Sequence, residues 1–541
     1  MKLLVLFFVC FPLIAFAEKR PNIIFILTDD QRQDSLPIYG NSFVETPHLD
    51  QLAERSVVFD NASITSAICT PSRATYLLGQ YERRHGINFN SGNTLAPEAW
   101  AQSYPVLLRK AGYFTGYVGK NHVPIGASGY ETGLMEESFD FFYAGHGHIK
   151  FYPKRHHKIF EEAKADTQVE ILSEATQSFL GPDSFIKGAK SFLEQRPNDQ
   201  PFCLSICFNV PHGASTREME LLPTDPELYR SKYRDKIDQL PLPANYVAKA
   251  KIEKPKLPED VLYAQFRQDI YDYVDEPDTL RERMIRQYQT ITGIDLMLGQ
   301  LLQQLEENGQ SENTIIIYTS DHGLQLGEFG LGGKGLNYEV CLRVPLIIYD
   351  PRLPKERRGK RSDALVESVD IAPTLLDLAG AEGGEAMQGH SLVPLLRGQK
   401  GLIREFSFAE NLWANVFGNP RIESVRDERF KYIRYFKNSR DPWVEKMKPE
   451  NSASLYKITP EMRQMYRSSL DASVKGEAPV YEELFDLDSD PGETTNLVSS
   501  LKFSDRLQVM RAQCQAKVTA ARGDFTKGPL VLPLNLEAKT R

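Results

Sequence analysis

Short apolar, β-branched runs recur along the chain, separated by longer stretches in which apolar residues return at helical spacing. The runs Ile23 to Leu27, Phe114 to Val118, Phe202 to Val210, Thr314 to Thr319 and Val344 to Tyr349 predict buried strands, because a strand covered on both faces is apolar at consecutive positions. Between Tyr288 and Leu305 the residues Ile291, Ile294, Leu298, Leu301, Leu302 and Leu305 predict a helix, with Asn308-Gly309 as its stop. Strands alternating with helices predict the α/β class, with a large, mostly parallel sheet sandwiched by helices over residues 18–400. The pattern then changes. Ser424 to Tyr435 alternates around Asp427-Glu428 as a hairpin does, and Tyr481 to Leu487 reads as a strand before the turn Asp488-Ser489-Asp490-Pro491-Gly492. Residues 401–541 therefore form a smaller C-terminal unit with a small antiparallel sheet and a terminal helix around Phe503 to Val518. Thr216 to Glu282, rich in charge and proline, is expected to run irregularly over the rim.

The chain opens with Met1-Lys2, an apolar stretch from Leu3 to Ile14 and then Ala15-Phe16-Ala17, the layout of a signal peptide spanning residues 1–17 and cut after Ala17. The expected location is secreted or periplasmic. No later segment approaches the ~20 apolar residues of a membrane span. At 541 residues the chain exceeds one typical domain of about 100–200 residues. A net charge of −8 argues against a nucleic-acid partner, so any anionic ligand must meet a local basic pocket. Loss of the leader removes Cys10 and leaves Cys69, Cys203, Cys207, Cys341 and Cys514, too few for a disulfide-built scaffold and without zinc spacing. Cys203 and Cys207 fall on one face of a strand and are expected to be buried thiols.

Ligands of such sheets gather beyond the carboxyl ends of the strands, and four predicted strands deliver ionisable groups there. They end in Thr28-Asp29-Asp30, Lys120-Asn121-His122, Pro211-His212-Gly213 and Ser320-Asp321-His322-Gly323. Adjacent inward-facing carboxylates repel unless a cation offsets their charge, and hard oxygen donors favour Ca²⁺ or Mg²⁺. An isolated Asp-Asp pair also suits a solvated turn; the second pair, Asp321-His322, tips the reading toward a metal site. Lys334 lies in the glycine-rich loop Leu331-Gly332-Gly333-Lys334-Gly335, whose backbone is expected to approach a ligand closely.

Cys69-Thr70-Pro71-Ser72-Arg73 resembles the sulfatase signature Cys-x-Pro-Ser-Arg. Further matching stretches are Thr46-Pro47-His48-Leu49-Asp50, Asn313-Thr314-Ile315-Ile316-Ile317, Arg343-Val344-Pro345-Leu346, Asp370-Ile371-Ala372-Pro373-Thr374, and Glu483-Leu484-Phe485-Asp486-Leu487 with Asp490-Pro491. Together they resemble the formylglycine-dependent sulfatases of the alkaline-phosphatase-like fold over nearly the whole mature chain. The resemblance implies that a maturation enzyme oxidises Cys69 to formylglycine, whose hydrate offers two hydroxyls: one attacks sulfur and the other expels sulfate by C–O cleavage. It implies one Ca²⁺, with Mg²⁺ and Mn²⁺ ranked below, held by Asp29, Asp30, Asp321, His322 and the converted Cys69. Histidine at 322, where many relatives carry asparagine, keeps the ligand count and adds a nitrogen donor. The implied catalytic set is Cys69, Arg73, Lys120, His122, His212 and Lys334. Arg73 steadies the hydrate, with Asp321 as a possible proton acceptor. Lys120 and Lys334 neutralise the sulfuryl oxygens, His212 with Lys334 protonates the leaving alcohol, and His122 takes the final proton.

The expected activity is hydrolysis of sulfate esters on a sulfated carbohydrate or polysaccharide. Two alternatives stand beside it: a phosphonate or phosphodiester hydrolase using the same aldehyde, and a non-catalytic glycan-binding protein in which Cys69 stays a thiol. The run Lys150 to Lys158, with Lys154, Arg155, His156 and His157 and the interleaved Phe151 and Tyr152, suits either a solvated loop or a glycan contact.

Overall fold

The computed structural model describes residues 19–146, 185–212, 227–262, 271–399, 401, 403–413, 418–438, 458–524 and 531–534. The leader and the Lys150 to Lys158 run lie outside the described residues. At the centre is an eight-stranded sheet. In chain order its strands are β1 (Asn22–Asp29), β2 (Val57–Ser63), β3 (Phe114–Asn121), β4 (Phe141–His146), β5 (Phe202–Pro211), β6 (Thr314–Ser320), β7 (Leu346–Tyr349) and β8 (Lys360–Glu367). The spatial order is β8-β2-β7-β6-β1-β5-β3-β4, and only β7 runs antiparallel to its neighbours. All five sequence-predicted strands are present. Those missed are β2, β4 and β8: β2 and β8 mix polar residues such as Asp60, Asn61, Lys360 and Arg361 into the run, the last two exposed at the sheet edge, while β4 is a short run opening on Phe141-Phe142-Tyr143.

Two apolar layers hold the sheet. One buries Ile23, Phe25, Ile315 and Ile317 against the Cys69–Leu78 and Ile371–Leu378 helices; the other buries Ile24, Ile26, Ile316 and Tyr318 against the long helix Pro277–Glu307. Alternate residues of one strand thus serve opposite cores, which explains their unbroken apolar sequence. The long helix ends at Asn308 as expected but begins at Pro277, eleven residues before the predicted Tyr288. Its first turns carry many charged residues, but Leu280, Met284 and Ile285 continue the apolar period back from Tyr288 and are buried, as are Arg283, Arg286 and Gln287.

Residues Ser407–Asn411, Arg421–Arg426, Phe430–Phe436 and Tyr481–Asp486 form a four-stranded antiparallel sheet backed by the helix Ser504–Arg522; the hairpin, the Tyr481 strand and the helix are as expected, and the strand Ser407–Asn411 escaped the sequence reading. A buried arginine ties this sheet to the main body. Arg83, in the turn that follows the Cys69–Leu78 helix, donates from Nε to Glu410 Oε2 and from Nη2 to Glu423 Oε1, each at 2.6 Å. Arg83→Ala is expected to lower stability by about 3–5 kcal/mol, because buried Glu410 loses its countercharge and Glu423 is left with Arg434 alone of its two arginines. Denaturant titration checks this, and a loss below about 1 kcal/mol would show that the pair of bonds does not carry the junction.

Candidate active site

Strand register assembles the site. β1 pairs with β6 through Thr28 opposite Ser320, and with β5 through Asp29 opposite Pro211, so the chain leaves all three strands at one level. Asp30 follows with φ +62°, a left-handed conformation that a non-glycine residue adopts only when its surroundings impose it. Here the surroundings are explicit: Asp30 N donates to Asp321 Oδ1 and Asp321 N donates to Thr28 O. Between Leu27 and Asp29 the β1–β5 register shifts, and the Phe208 carbonyl inside that irregularity accepts from Arg73 Nη2 at 3.2 Å.

Cys69 is the first residue of a helix spanning Cys69–Leu78 and entirely buried; Pro71 falls in its first turn, where a missing N–H is harmless. The polar face of this helix is consumed by the strand ends. Ser72 Oγ donates to Asp321 O at 2.5 Å, Tyr76 Oη to Ser320 O at 2.9 Å, and Arg73 Nε to Asp321 Oδ2 at 2.9 Å. Arg73 Nη1 reaches Lys120 O at 3.3 Å, and Nη2 also lies 3.6 Å from Asp29 Oδ2. Arg73 therefore fixes the two carboxylates to three strands, a duty that its i+4 spacing from Cys69 did not reveal. Ser72 and Tyr76 also escaped the sequence reading, since neither residue type suggests a clamp on a strand end.

Asp29, Asp30, Asp321 and His322 are buried, and each places one donor atom within 4.8 Å of the others. Asp29 Oδ1 accepts no hydrogen bond, and His322 Nε2 makes none. His322 Nδ1 lies 2.9 Å from Gly323 O, which assigns its proton to Nδ1 and leaves the Nε2 lone pair facing the carboxylates. Three carboxylates and one imidazole, with donor atoms left over, fit a divalent cation.

Cations surround this cluster. Lys120 is ion-paired with Asp29, and Lys334 Nζ lies 2.7 Å from Asp30 Oδ1. His212 Nε2 is 3.9 Å from Asp30 Oδ2, and His122 packs edge-on against Phe89 with centroids 5.6 Å apart. All ten residues singled out in the sequence thus meet at one sheet edge. Burial would push the Cys69 thiol up, but Lys334 and Lys120 bring it down to about 7. Burial also opposes ionisation of Asp29, yet Lys120 and Arg73 hold its carboxyl well below the usual range. Asp321 goes the other way, to about 7, because burial and the Asp29 charge both disfavour its anion. Burial, helped by Lys120 and Arg73, keeps His122 neutral.

The glycines before Lys334 serve a different end from the one expected. Gly333 has φ +82°, and a Cβ there would run into the Tyr271 ring; the room is taken by a side chain of the protein, not by a ligand. The other cysteines, Cys203, Cys207, Cys341 and Cys514, are buried free thiols.

The fold is alkaline-phosphatase-like, and its sheet edge carries a buried cysteine, a cluster of three aspartates and a histidine suited to a cation, and a basic rim. The sulfatase family profile matches residues 21–381, and the chain belongs to that family, the sulfuric ester hydrolases. A second profile, N-sulphoglucosamine sulphohydrolase, C-terminal, matches residues 327–471. The chain is 29% identical over 476 residues to the N-acetylglucosamine-6-O-sulfatase of Bacteroides thetaiotaomicron, covering 79% of this chain and 80% of that one. It is 27% identical over 523 residues to the N-sulphoglucosamine sulphohydrolase of Homo sapiens, covering 91% and 88%. Among solved structures, a protein in complex with D-glucosamine-2-N,6-O-disulfate superposes with a TM-score of 0.68 at 23% identity, covering 93% of this chain and 98% of that one. The phosphonate monoester hydrolase of Agrobacterium radiobacter gives 0.63 at 22% identity, covering 91% and 96%; these two likenesses show the fold.

Proposed function

We propose that this protein is a secreted carbohydrate sulfatase that acts through a formylglycine made from Cys69. The observation that carries this reading is the placement of Cys69 at a helix start within the field of Lys334 and Lys120, beside four buried donors for a cation. When present, formylglycine supplies a hydrate with two hydroxyls, and a Ca²⁺ ion held by Asp29, Asp30, Asp321 and His322 supplies positive charge beside them. Arg73 keeps Asp29 and Asp321 oriented. Lys120 and Lys334 bind the sulfuryl oxygens and stabilise the charge that builds there, an effect worth about 10²–10³ per donor. His212, at the margin of the cluster, donates a proton to the leaving alcohol; His122, held neutral by burial, accepts one so that sulfate departs. The unit from residue 401 closes one side, with Asn419 against Gly335 beside Lys334.

The carbohydrate reading is supported by the names of the relatives, which act on N-acetylglucosamine and N-sulphoglucosamine derivatives. Among the described residues no helix is long and apolar enough to cross a membrane, consistent with secretion. A panel of defined sulfated oligosaccharides, run beside a phosphodiester and a phosphonate monoester, tests the proposal. Preferential release of sulfate from sugars is expected. Higher kcat/KM on the phosphorus esters would replace this reading with a phosphonate or phosphodiester hydrolase.

A further inference from the structure

Arg283 differs from most other buried arginines; like Arg196, which stacks on Phe202 and donates to the Pro197 carbonyl, it has no carboxylate within ion-pair distance among the described residues. Arg73, Arg83, Arg404 and Arg522 each hold a carboxylate. Arg283 is 1% exposed, yet its Nε and Nη1 make no hydrogen bond. Its guanidinium carbon lies 4.0 Å from the Tyr273 ring centroid, a stack that offsets part of the cost of burying a charge that a guanidinium cannot shed. Two unmet donors on a permanent buried cation are unfavourable in the free protein, so the arrangement calls for an anion from outside.

Its helix neighbours border a cavity, while Arg283 itself lies behind the Tyr273 ring. Met284 and Gln287, next to Arg283 and one turn along the same helix, line a cavity of about 700 Å³ that is also bounded by Asp30 and by Pro211, the neighbour of His212. Tyr271 packs on Gly332 and Gly333 before Lys334, while Tyr273, two residues on, covers Arg283. One short strap therefore touches both the Lys334 loop and this unpaired guanidinium. Asp30 is the carboxylate whose charge reaches Arg283, but it is already held by Lys334 and belongs to the cation site.

We infer that Arg283 receives a second anionic group, a sulfate or a carboxylate, on the sugar whose sulfate ester is cleaved, with the cavity beside Asp30 taking the sugar itself. The inference rests on the carbohydrate sulfatase reading and adds a substrate class to it: sugars charged twice. Access requires the Tyr273 ring to swing off the guanidinium. Arginine suits the task because its planar fork matches either oxyanion bidentately.

The test compares kcat/KM for a sugar with one sulfate ester and no other charge, a disulfated sugar, and a monosulfated sugar linked to a uronate. In Arg283→Met the ratio of doubly to singly charged substrate is expected to fall about tenfold or more, chiefly through KM, the effect of losing a charge-assisted bond. Arg283→Lys, which keeps the charge without the fork, is expected to fall between. A fall confined to the disulfated sugar identifies sulfate as the ligand, and one confined to the uronate identifies carboxylate. Ligand-free Arg283→Met is expected to melt no lower than the wild type, because an unpaired buried charge has been removed. An unchanged ratio, or equal losses on all substrates with a lowered melting temperature, overturns the inference and makes Arg283 a structural cation. Should Arg283→Met fail to fold, the ratio in Arg283→Lys decides by the same criterion. Wild-type enzyme that cleaves an aryl sulfate but none of the sugars would defeat the carbohydrate reading instead.

Discussion

Cys69→Ser is expected to end multiple turnover while still permitting one chemical event per site. Serine fits the position: residue 69 is 2% exposed at the first turn of its helix, and the exchange of sulfur for oxygen removes no packing group. The hydroxyl can attack sulfur in the field of Lys120 and Lys334. It has no partner hydroxyl on the same carbon, however, so the bond to sulfur can be broken only by water attacking sulfur itself, in a site built for C–O cleavage. The expected signature is a burst of about one alcohol per enzyme, a covalent sulfo-serine in the intact mass, and steady-state kcat reduced on the order of a thousandfold or more. The wild-type peptide containing Cys69 should carry the mass of an aldehyde. Turnover by the serine variant at the wild-type rate would refute the two-hydroxyl scheme, and an unmodified thiol in active enzyme would remove its premise.

Stripping the divalent cation is the second large effect. Asp29, Asp30 and Asp321 then face one another with Lys120, Lys334 and Arg73 as countercharges and His212 and His322 close by, and the oxygen that accepts no hydrogen bond, Asp29 Oδ1, stays unmet. Chelation should abolish activity and lower the melting temperature, and Ca²⁺ should restore both; an ion present at about a thousand times its Kd contributes about 4 kcal/mol to the folded state. The ion-free protein should also acquire a pH dependence. Asp321 titrates near 7 when folded against 3.8 for an ordinary aspartate, so folding holds a proton that the unfolded chain releases. The contribution of Asp321 is therefore full below 3.8 and falls as pH rises toward about 7, and His322, whose pKa burial would lower but the Asp321 charge raises, continues the fall above 6.5. The depressed Asp29 acts only at lower pH, outside this window. Urea titrations between pH 4 and 8, with and without Ca²⁺, check the slope. Full activity after chelation would exclude a working cation site.

Much of the site was legible because motif chemistry is local. Asp29-Asp30, Lys120-x-His122 and Asp321-His322 each sit at the end of an apolar run, where β/α topology brings them together, and Cys69 to Arg73 is a contiguous motif at a helix start. Arg283 was not legible. It lies among the charged residues of the first turns of its helix, and nothing near it in sequence reports that its Nε and Nη1 meet no hydrogen-bond partner among the described residues. The Lys334 loop was misread for a related reason: its glycines signal close approach but not what approaches, and the answer, Tyr271, comes from a segment with no periodic pattern.

By itself the sequence determined the strand and helix alternation, the level at which chemistry gathers and the residue types that do it, because these follow from periodicity and from groups a few positions apart. Only the tertiary structure decided which partner each charge finds. Arg73 turns away from its own helix toward three strand ends, Arg83 joins a helical turn of the main body to two strands of the smaller sheet, and Arg283 meets no carboxylate within ion-pair distance among the described residues, since pairing depends on distances between segments far apart in the chain and on the water that packing excludes.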